Sequence, residues 1–466
     1  MDHEEVPLQG SKVELVASTG DITLQDESTS PSQSPNSPDR GDDSLHGYFE
    51  TAQWTADGTT ILTYSSSNLI SGYIVPEDLL SPAANRPLKL NPQAIIQLPE
   101  PSNVLVGAPY FQLAEPWTQQ LLVSSRDHPI QLFYLSSSAS TPPKPASSYP
   151  LTKARSETFL TATSLIWPYA GTHFIAGSRN LLAKFDVSRT GEEPILRVKT
   201  IPSERHLSKG GGVGMRGTVS SLAAQPPDHN FGSLVAAGTW TRWVGLYDFM
   251  QAGGSCAATW SIAQAAAEEA GIGGDGITQT IWSPCGRYLL VGERKATGVL
   301  VYDVRVTGKL LGWLAGRDAL GNQRINCDVF SGQNGGEGGN FEVWSGTMNG
   351  TVKVWEGVGT REGAHDPAWS WAVSKQSAVR STCVHPSGTV VATCSGSWEF
   401  PDDESDGGDS NTNDETPSQS NDNSGDSDSD DDSDISRAEA PWMRRRNKES
   451  SLKIWSISND GEETEP

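Results

Sequence analysis

The chain is poor in cysteine, methionine and cations: 5 Cys, 5 Met and 34 Lys plus Arg against 57 Asp plus Glu in 466 residues. The cysteines Cys256, Cys285, Cys327, Cys383 and Cys394 are odd in number and have no Cys-x-x-Cys spacing, and the eight histidines show no His-x-x-x-His. That argues against a disulfide framework and a zinc site, and for a reducing compartment. No apolar run approaches the roughly 18 residues needed to cross a bilayer, and the N-terminus lacks the charged-then-apolar order of a secretory leader. A soluble nuclear or cytoplasmic protein with no membrane attachment is expected. No nucleophile elbow or paired-carboxylate spacing is present, so no enzyme activity and no cofactor are expected. Gly212-Val213-Gly214-Met215-Arg216-Gly217 fits GxGxxG, but it precedes a strand pattern instead of opening a helix, so the helix end that would hold a pyrophosphate is missing.

The net charge of −23 is unevenly placed. Residues 1–45 hold ten acids and two bases, and 399–436 hold fifteen acids and no base, so these two stretches carry the whole excess. Both are rich in Ser, Pro, Asp and Asn and poor in large apolar groups, and they read as disordered. The remainder is neutral overall, and any basic patch on it must be judged locally.

What the sequence does have is a phrase repeated about seven times: an apolar residue or Trp, then Pro or Asp, Gly, an apolar run, a small turn and a second apolar run ending in an aromatic. Examples are Trp54 to Gly58 closing at Tyr73, Ile281 to Gly286 closing at Tyr302, and Val384 to Gly388 closing at Trp455. Each unit is one small sheet that must stack on its neighbours to bury its faces, which is the pattern of a WD-repeat β-propeller. The fold class is therefore all-β, most simply seven blades, with a disordered N-terminal tail over 1–45. Blades occupy 46–398, an acidic disordered insertion fills 399–450 within the last blade, and 451–466 supplies its closing strand and the C-terminal tail. The segment around His46–Ala52 is expected to pair beside the closing strand and shut the ring. Only Ala263–Ala270 reads as a helix. Trp355 and Trp455 read as core.

Some phrases are more specific than the repeat. Gly238-Thr239-Trp240-Thr241-Arg242-Trp243-Val244-Gly245-Leu246-Tyr247-Asp248, Gly316-Arg317 with Asn322-Gln323-Arg324-Ile325, Ser124 to Ile130, and Thr393-Cys394-Ser395-Gly396 before an acidic insertion recur in order. In these the chain resembles the telomerase Cajal body protein family (WD-repeat antisense-to-p53 type), over roughly 46–457, and the low-complexity tracts look like a fungal version. The resemblance implies a non-enzymatic RNA-binding propeller for small nuclear or Cajal body RNA (scaRNA), with telomerase RNA among the family's cargoes. It also implies ribonucleoprotein partners, telomerase or spliceosome components among them, a nuclear location and a monomer. The alternative is a protein scaffold attached to pre-mRNA splicing, without direct RNA binding. The family's Asp-x-Arg turn falls at Asp303-Val304-Arg305, where Arg305 is expected to tie neighbouring blades together.

In a propeller, the turn between a blade's second and third strands opens on the same rim as the loop leading into the next blade. Four such turns carry bases: Arg126, Arg179, Arg242 and Arg294-Lys295. The loop ahead of blade six adds Arg317, Asn322, Gln323 and Arg324, and Trp240 offers a stacking surface. The loops ahead of blades four and seven add Arg205, Lys209, Arg216, Lys375, Gln376 and Arg380. Guanidiniums for phosphate, amides for base edges and an aromatic for stacking are what single-stranded RNA requires. Each base read alone is equally a solvated turn residue, with Arg242 and Arg324 expected to be exposed. Ser-Pro pairs at Ser30, Ser34 and Ser37 suit proline-directed kinases, and Arg444-Arg445-Arg446-Asn447-Lys448 reads as an import signal or a partner for the acidic tract.

The acidic tract leaves the blade-seven turn on that same rim. A tethered polyanion there competes with RNA for the basic surface, most strongly where binding is purely electrostatic. Phosphorylation of Ser427, Ser429 or Ser433 would add about −1.5 to −2 each. Deleting 402–436 is expected to raise affinity for arbitrary RNA several-fold at low salt, with the gain fading as salt rises. Unchanged low-salt affinity would make the tract a solubilising spacer.

Overall fold

The computed structural model describes residues 11–23, 47–82, 85–135, 144–153, 155–201, 215–226, 234–249, 253–332, 340–375, 377–399, 446–447 and 449–459. Seven antiparallel sheets follow one another around a channel, each with four principal strands, here a to d from the channel outwards. Blade one is Phe49–Trp54, Thr60–Ser65, Leu69–Ile74 and Ala94–Gln97. Blade two is Ser102–Gly107, Gln120–Ser125, Ile130–Tyr134 and Ser147–Tyr149. Blade three is Ser164–Ile166, His173–Ser178, Leu181–Asp186 and Leu196–Lys199. Blade four is Val219–Ala224, Leu234–Thr239, Trp243–Asp248 and Ser255–Ser261. Blade five is Ile277–Trp282, Tyr288–Glu293, Val299–Asp303 and Leu310–Leu314. Blade six is Cys327–Phe330, Phe341–Gly346, Thr351–Val358 and Trp369–Ala372. The all-β seven-bladed reading and the assignment of strands to blades agree with this structure.

The repeated phrase has a local cause. Its glycine closes the a–b turn in the left-handed region, with φ of 70° at Gly58, 67° at Gly286 and 73° at Gly388, where a side chain would be strained. The b–c turns likewise need one left-handed residue, which explains Asn68, Asp127 and Asn180 and makes Arg242 and Lys295, at φ 64° and 52°, unusual choices. Between blades lie apolar seams such as the stacked Phe174 and Phe185, 4.8 Å between centroids, with Tyr149 edge-on to both. Trp355 is fully buried and Trp455 nearly so, as core residues.

Ring closure differs from the sequence expectation. Blade seven is Val379–Val384, Val390–Ser395, Ser451–Asn459 and, as its outer strand, Ser11–Ser18. Phe49–Trp54, by contrast, is the inner strand of blade one, so the His46–Ala52 segment does not close the ring. Residues 11–23 therefore belong to the propeller and not to a 1–45 tail. The physical reason is an open edge: Ser451–Asn459 would otherwise present unpaired backbone groups and uncovered apolar side chains. Ser11–Ser18 pairs with it antiparallel, from Ser11 opposite Asn459 to Ser18 opposite Lys453, and Val16 and Ala17 are wholly buried. Leu88–Lys89 then runs parallel to Ala17–Ser18 and covers the new edge. Trp398–Glu399 pairs with Arg446–Asn447 at the base of the acidic insertion, and 400–445 lies outside the described residues. The expected short helix is present over 263–269, its Ala265–Glu269 part wound as a π-helix.

Arg305 is a second correction. It folds back on Asp303 two residues away (Nη2 to Oδ2 2.6 Å, Nε to Oδ1 2.9 Å) and is 60% exposed, so it does not tie blades together. Such a surface pair contributes little to stability.

Closure by the N-terminal strand is testable. Val16→Asp places a carboxylate at a fully buried position and is expected to lower stability by more than about 2 kcal/mol in thermal or urea unfolding. An unchanged transition would remove Ser11–Ser18 from the propeller.

Candidate nucleic-acid interface

The b–c turns and the loops leading into the next blades meet on one face. Gly217 N–H donates to Asn180 Oδ1, Thr241 Oγ1 to the Arg216 carbonyl, Arg242 Nη2 to the Gly273 carbonyl, and Met348 N–H to the Asp318 carbonyl. The nominated residues do share this face, but their environments differ sharply.

Arg126 is 76% exposed in the blade-two turn, with Nε 3.5 Å from Asp127 Oδ2. Arg179 is exposed in the blade-three turn and has no ion pair among the described residues. Arg216, in the loop before blade four, is exposed as well. Asn322 is exposed and Gln323 half-buried. Arg205, Lys209 and Gln376 lie outside the described residues.

At the junction of blades four and five, the expectation of an exposed Arg242 fails. Nε and Nη2 grip the Glu293 carboxylate at 2.8 and 2.9 Å, and Glu293 is only 1% exposed. Glu293 also accepts from the Gly276 N–H, and a side chain on Gly276 would collide with Trp240, a Cβ lying 2.6 Å from its Cε3 and 3.0 Å from its carbonyl oxygen. Burial pushes the Glu293 carboxyl up, with Arg242 opposing the shift. The pair thus fixes a left-handed turn and joins two blades, a structural role that leaves Arg242 little freedom for a ligand. Arg294 and Lys295 are also partnered, by Asp275: Arg294 Nη2 to Oδ2 3.0 Å, Lys295 Nζ to Oδ2 3.6 Å. Arg294 lies over Trp240, its guanidinium carbon 4.4 Å from the ring centroid.

The loop ahead of blade six splits its nominees. Arg317 is 1% exposed and donates to the Ile325 carbonyl, pinning the loop's start to its end. It is removed from the candidate contacts because burial takes it off the surface. Arg324, half-buried at the channel mouth, has its guanidinium carbon 6.0 Å from the Trp240 centroid. Arg380, at the start of blade seven, reaches the same mouth. The acids Glu293 and Asp275 were missed as partners, although Glu293 stands at the end of strand b where blades one to four and seven have Ser or Thr.

The fold is that of a seven-bladed WD-repeat propeller. The chain is similar in sequence to telomerase Cajal body proteins, in agreement with the resemblance read from its motifs. It is 28% identical over 366 residues to telomerase Cajal body protein 1 of Bos taurus, covering 77% of this chain and 60% of that one. To the Homo sapiens protein it is 26% identical over 364 residues, 77% of this chain and 59% of that one. A guanine nucleotide-binding protein negative regulator 1 from Schizosaccharomyces pombe is 26% identical over 320 residues, 68% of this chain and 73% of that one. The chain thus spans about 60% of the length of the telomerase Cajal body proteins it matches. No family model matches.

The Arg242–Glu293 pair gives a pH-dependent prediction. A carboxyl whose folded-state value is raised binds more protons folded than unfolded, so stability falls as pH rises through that raised value. Removing the guanidinium in Arg242→Ala raises Glu293 further and leaves a buried unpaired charge, expected to cost about 3–5 kcal/mol at neutral pH. The deficit should shrink as pH falls through the raised Glu293 value, where the carboxyl takes up a proton and the unpaired charge is lost. Urea unfolding at several pH values checks this, and a pH-independent deficit would assign the loss to turn geometry alone.

Proposed function

We propose that this chain is a non-enzymatic RNA-binding propeller that holds single-stranded segments of small nuclear, Cajal body-type RNA and directs ribonucleoprotein assembly or localisation in the nucleus, acting as a monomer. The observation that supports it most is the convergence of Trp240, Arg294 and Arg324 on one face, with Arg126, Arg179, Arg216 and Asn322 exposed around it. Arg294 over Trp240 forms a planar cationic and aromatic surface suited to a nucleobase, and the exposed arginines suit the phosphates that follow. The mammalian relatives are named for telomerase and the Cajal body, which supports a nuclear location and ribonucleoprotein or telomerase partners for this chain. A protein scaffold, with spliceosome components as partners, is the second reading. It is favoured by the number of rim cations already paired: Arg126, Arg242, Arg294 and Lys295 each have a carboxylate within 4 Å.

Crosslinking in cells with sequencing of the bound RNA separates the two and identifies the cargo. In vitro, Arg179→Glu with Arg216→Glu is expected to weaken single-stranded RNA binding at least tenfold and to flatten the dependence of log K on log salt by about 0.7 per lost phosphate contact. A folded double variant with unchanged affinity and slope would sink the rim assignment.

A further inference from the structure

The channel mouth on the b–c face is a cavity of about 360 Å³ bounded by the inner strands of the blades. Its walls are mostly Ser, Thr and short apolar side chains, and its charged groups are Arg324, Arg380 and Glu50. Two cations therefore face one carboxylate in an enclosed space, where their mutual repulsion is poorly screened. Arg380 is the anomaly. Its side chain is 8% exposed, its Nε and Nη1 have no hydrogen-bond partner, and the nearest carboxylate oxygen, Glu50 Oε1, stands 4.0 Å from Nη1. The Tyr48 ring lies 5.1 Å from its guanidinium carbon, holding the fork in place without meeting its N–H groups. Arg324 makes no hydrogen bond or ion pair among the described residues, and burial together with Arg380 weakens its hold on its proton. Two further donors lining the cavity, Ser221 Oγ and Thr280 Oγ1, are buried and unpartnered.

Unsatisfied buried donors of this kind are costly, and a fully buried guanidinium with open N–H groups is the more so. An anion with several acceptor oxygens would satisfy them together, and the planar Arg fork matches phosphate. We infer that the channel mouth is a phosphomonoester pocket in which Arg380 and Arg324 hold the terminal phosphate of a nucleotide, either free or at the end of an RNA strand. The nucleotide is favoured over a phosphorylated side chain by Trp240. Arg324 connects the cavity to that ring, 6.0 Å away, and Arg294 lies over the same ring, so a base-stacking surface adjoins the phosphate site. Ser221 and Thr280 supply hydroxyls for the remaining phosphate or ribose oxygens. The pocket rests on its own geometry and does not require the rim to bind RNA.

The test uses the full chain and intrinsic tryptophan fluorescence or calorimetry. The probes are a nucleoside, its 5′- and 3′-monophosphates, and an RNA oligonucleotide with and without a terminal phosphate, with inorganic phosphate as competitor. A monophosphate is expected to bind at least tenfold tighter than its nucleoside, to be displaced by phosphate, and to lose at least tenfold on R324Q and on R380Q. R324Q, at the more accessible of the two positions, decides the matter if R380Q fails to fold. A phosphorylated RNA end that binds more tightly than the free monophosphate assigns the pocket to RNA ends, and equal binding assigns it to free nucleotide; both support it. Equal affinity for nucleoside and monophosphate, unchanged binding in a folded R324Q, or tighter binding of a phosphoserine peptide would overturn it. R179E/R216E separates this from the rim: lost RNA binding with intact monophosphate binding leaves the pocket standing alone.

Discussion

The constraint on which this structure depends is the junction between successive inner strands. These strands lie around a channel and cannot form ladders with one another, so their carbonyls would be left without donors at the most buried part of the protein. Each junction is bridged by a polar group instead. Gln53 Nε2 donates to the Leu105 carbonyl, Ser124 Oγ to Ala162, Ser164 Oγ to Val219, Ser220 Oγ to Ile277 and Gln279 Nε2 to Cys327. The Asp328 carboxylate accepts from Val384 N–H, and Ser381 Oγ donates to Ala52, returning to blade one. Tryptophans repeat the device further out: Trp54 donates to the Cys383 carbonyl, Trp282 to Ala223 and Trp355 to Ala315. A ring of this kind is stable only when closed, since each bridge needs the next blade in register. That is why the last blade recruits a strand from the chain's beginning.

The same requirement shapes the candidate face. Inner-strand starts adjoin strand-b ends, so whatever stabilises a junction at that level also sets the b–c turns. At blades four and five an ionic bridge adds to the Ser220–Ile277 one, with Glu293 holding Arg242 and the Gly276 N–H. This fixes Trp240 against Gly276 and so presents its ring to Arg294 and Arg324. Arg242 thus acts on the aromatic surface by positioning it.

The blades were legible because each rests on local pattern: alternating apolar residues for the strands, and glycine where the a–b turn needs a left-handed residue. The closing strand was not. Ser11–Ser18 sits among acidic and Ser-rich neighbours and contains a bulge between Leu15 and Ala17 that breaks its alternation; its partner is more than 400 residues away in sequence. At the face, the turn positions of Arg126, Arg179, Arg242 and Arg294 could be read from the repeat, but not which of them had carboxylate partners. Glu293 was detectable, as a long acid at the end of strand b where the other blades end in Ser, Thr or Gly. Reading it required the blades to be aligned with one another, since no local pattern distinguishes it. Arg317 shows the opposite limit: its loop position suggested exposure, and only three-dimensional packing buries it.

Pairing of rim cations bears on how such a face could discriminate among ligands. Uncommitted surface arginines attract any nucleic acid, because non-specific binding is nearly all phosphate electrostatics. When Arg242, Arg294 and Lys295 are held by Glu293 and Asp275, that general attraction falls while the fixed geometry around Trp240 remains. What is left is the Trp240 ring beside an enclosed mouth whose guanidiniums, Arg324 and Arg380, lack hydrogen-bonded carboxylates. Reaching that mouth demands a ligand narrow enough to insert a single group, which a duplex cannot do. On the RNA reading, selectivity therefore arises from shape at the mouth and stacking at Trp240, with the neutral balance of the folded domain suppressing competition from bulk nucleic acid.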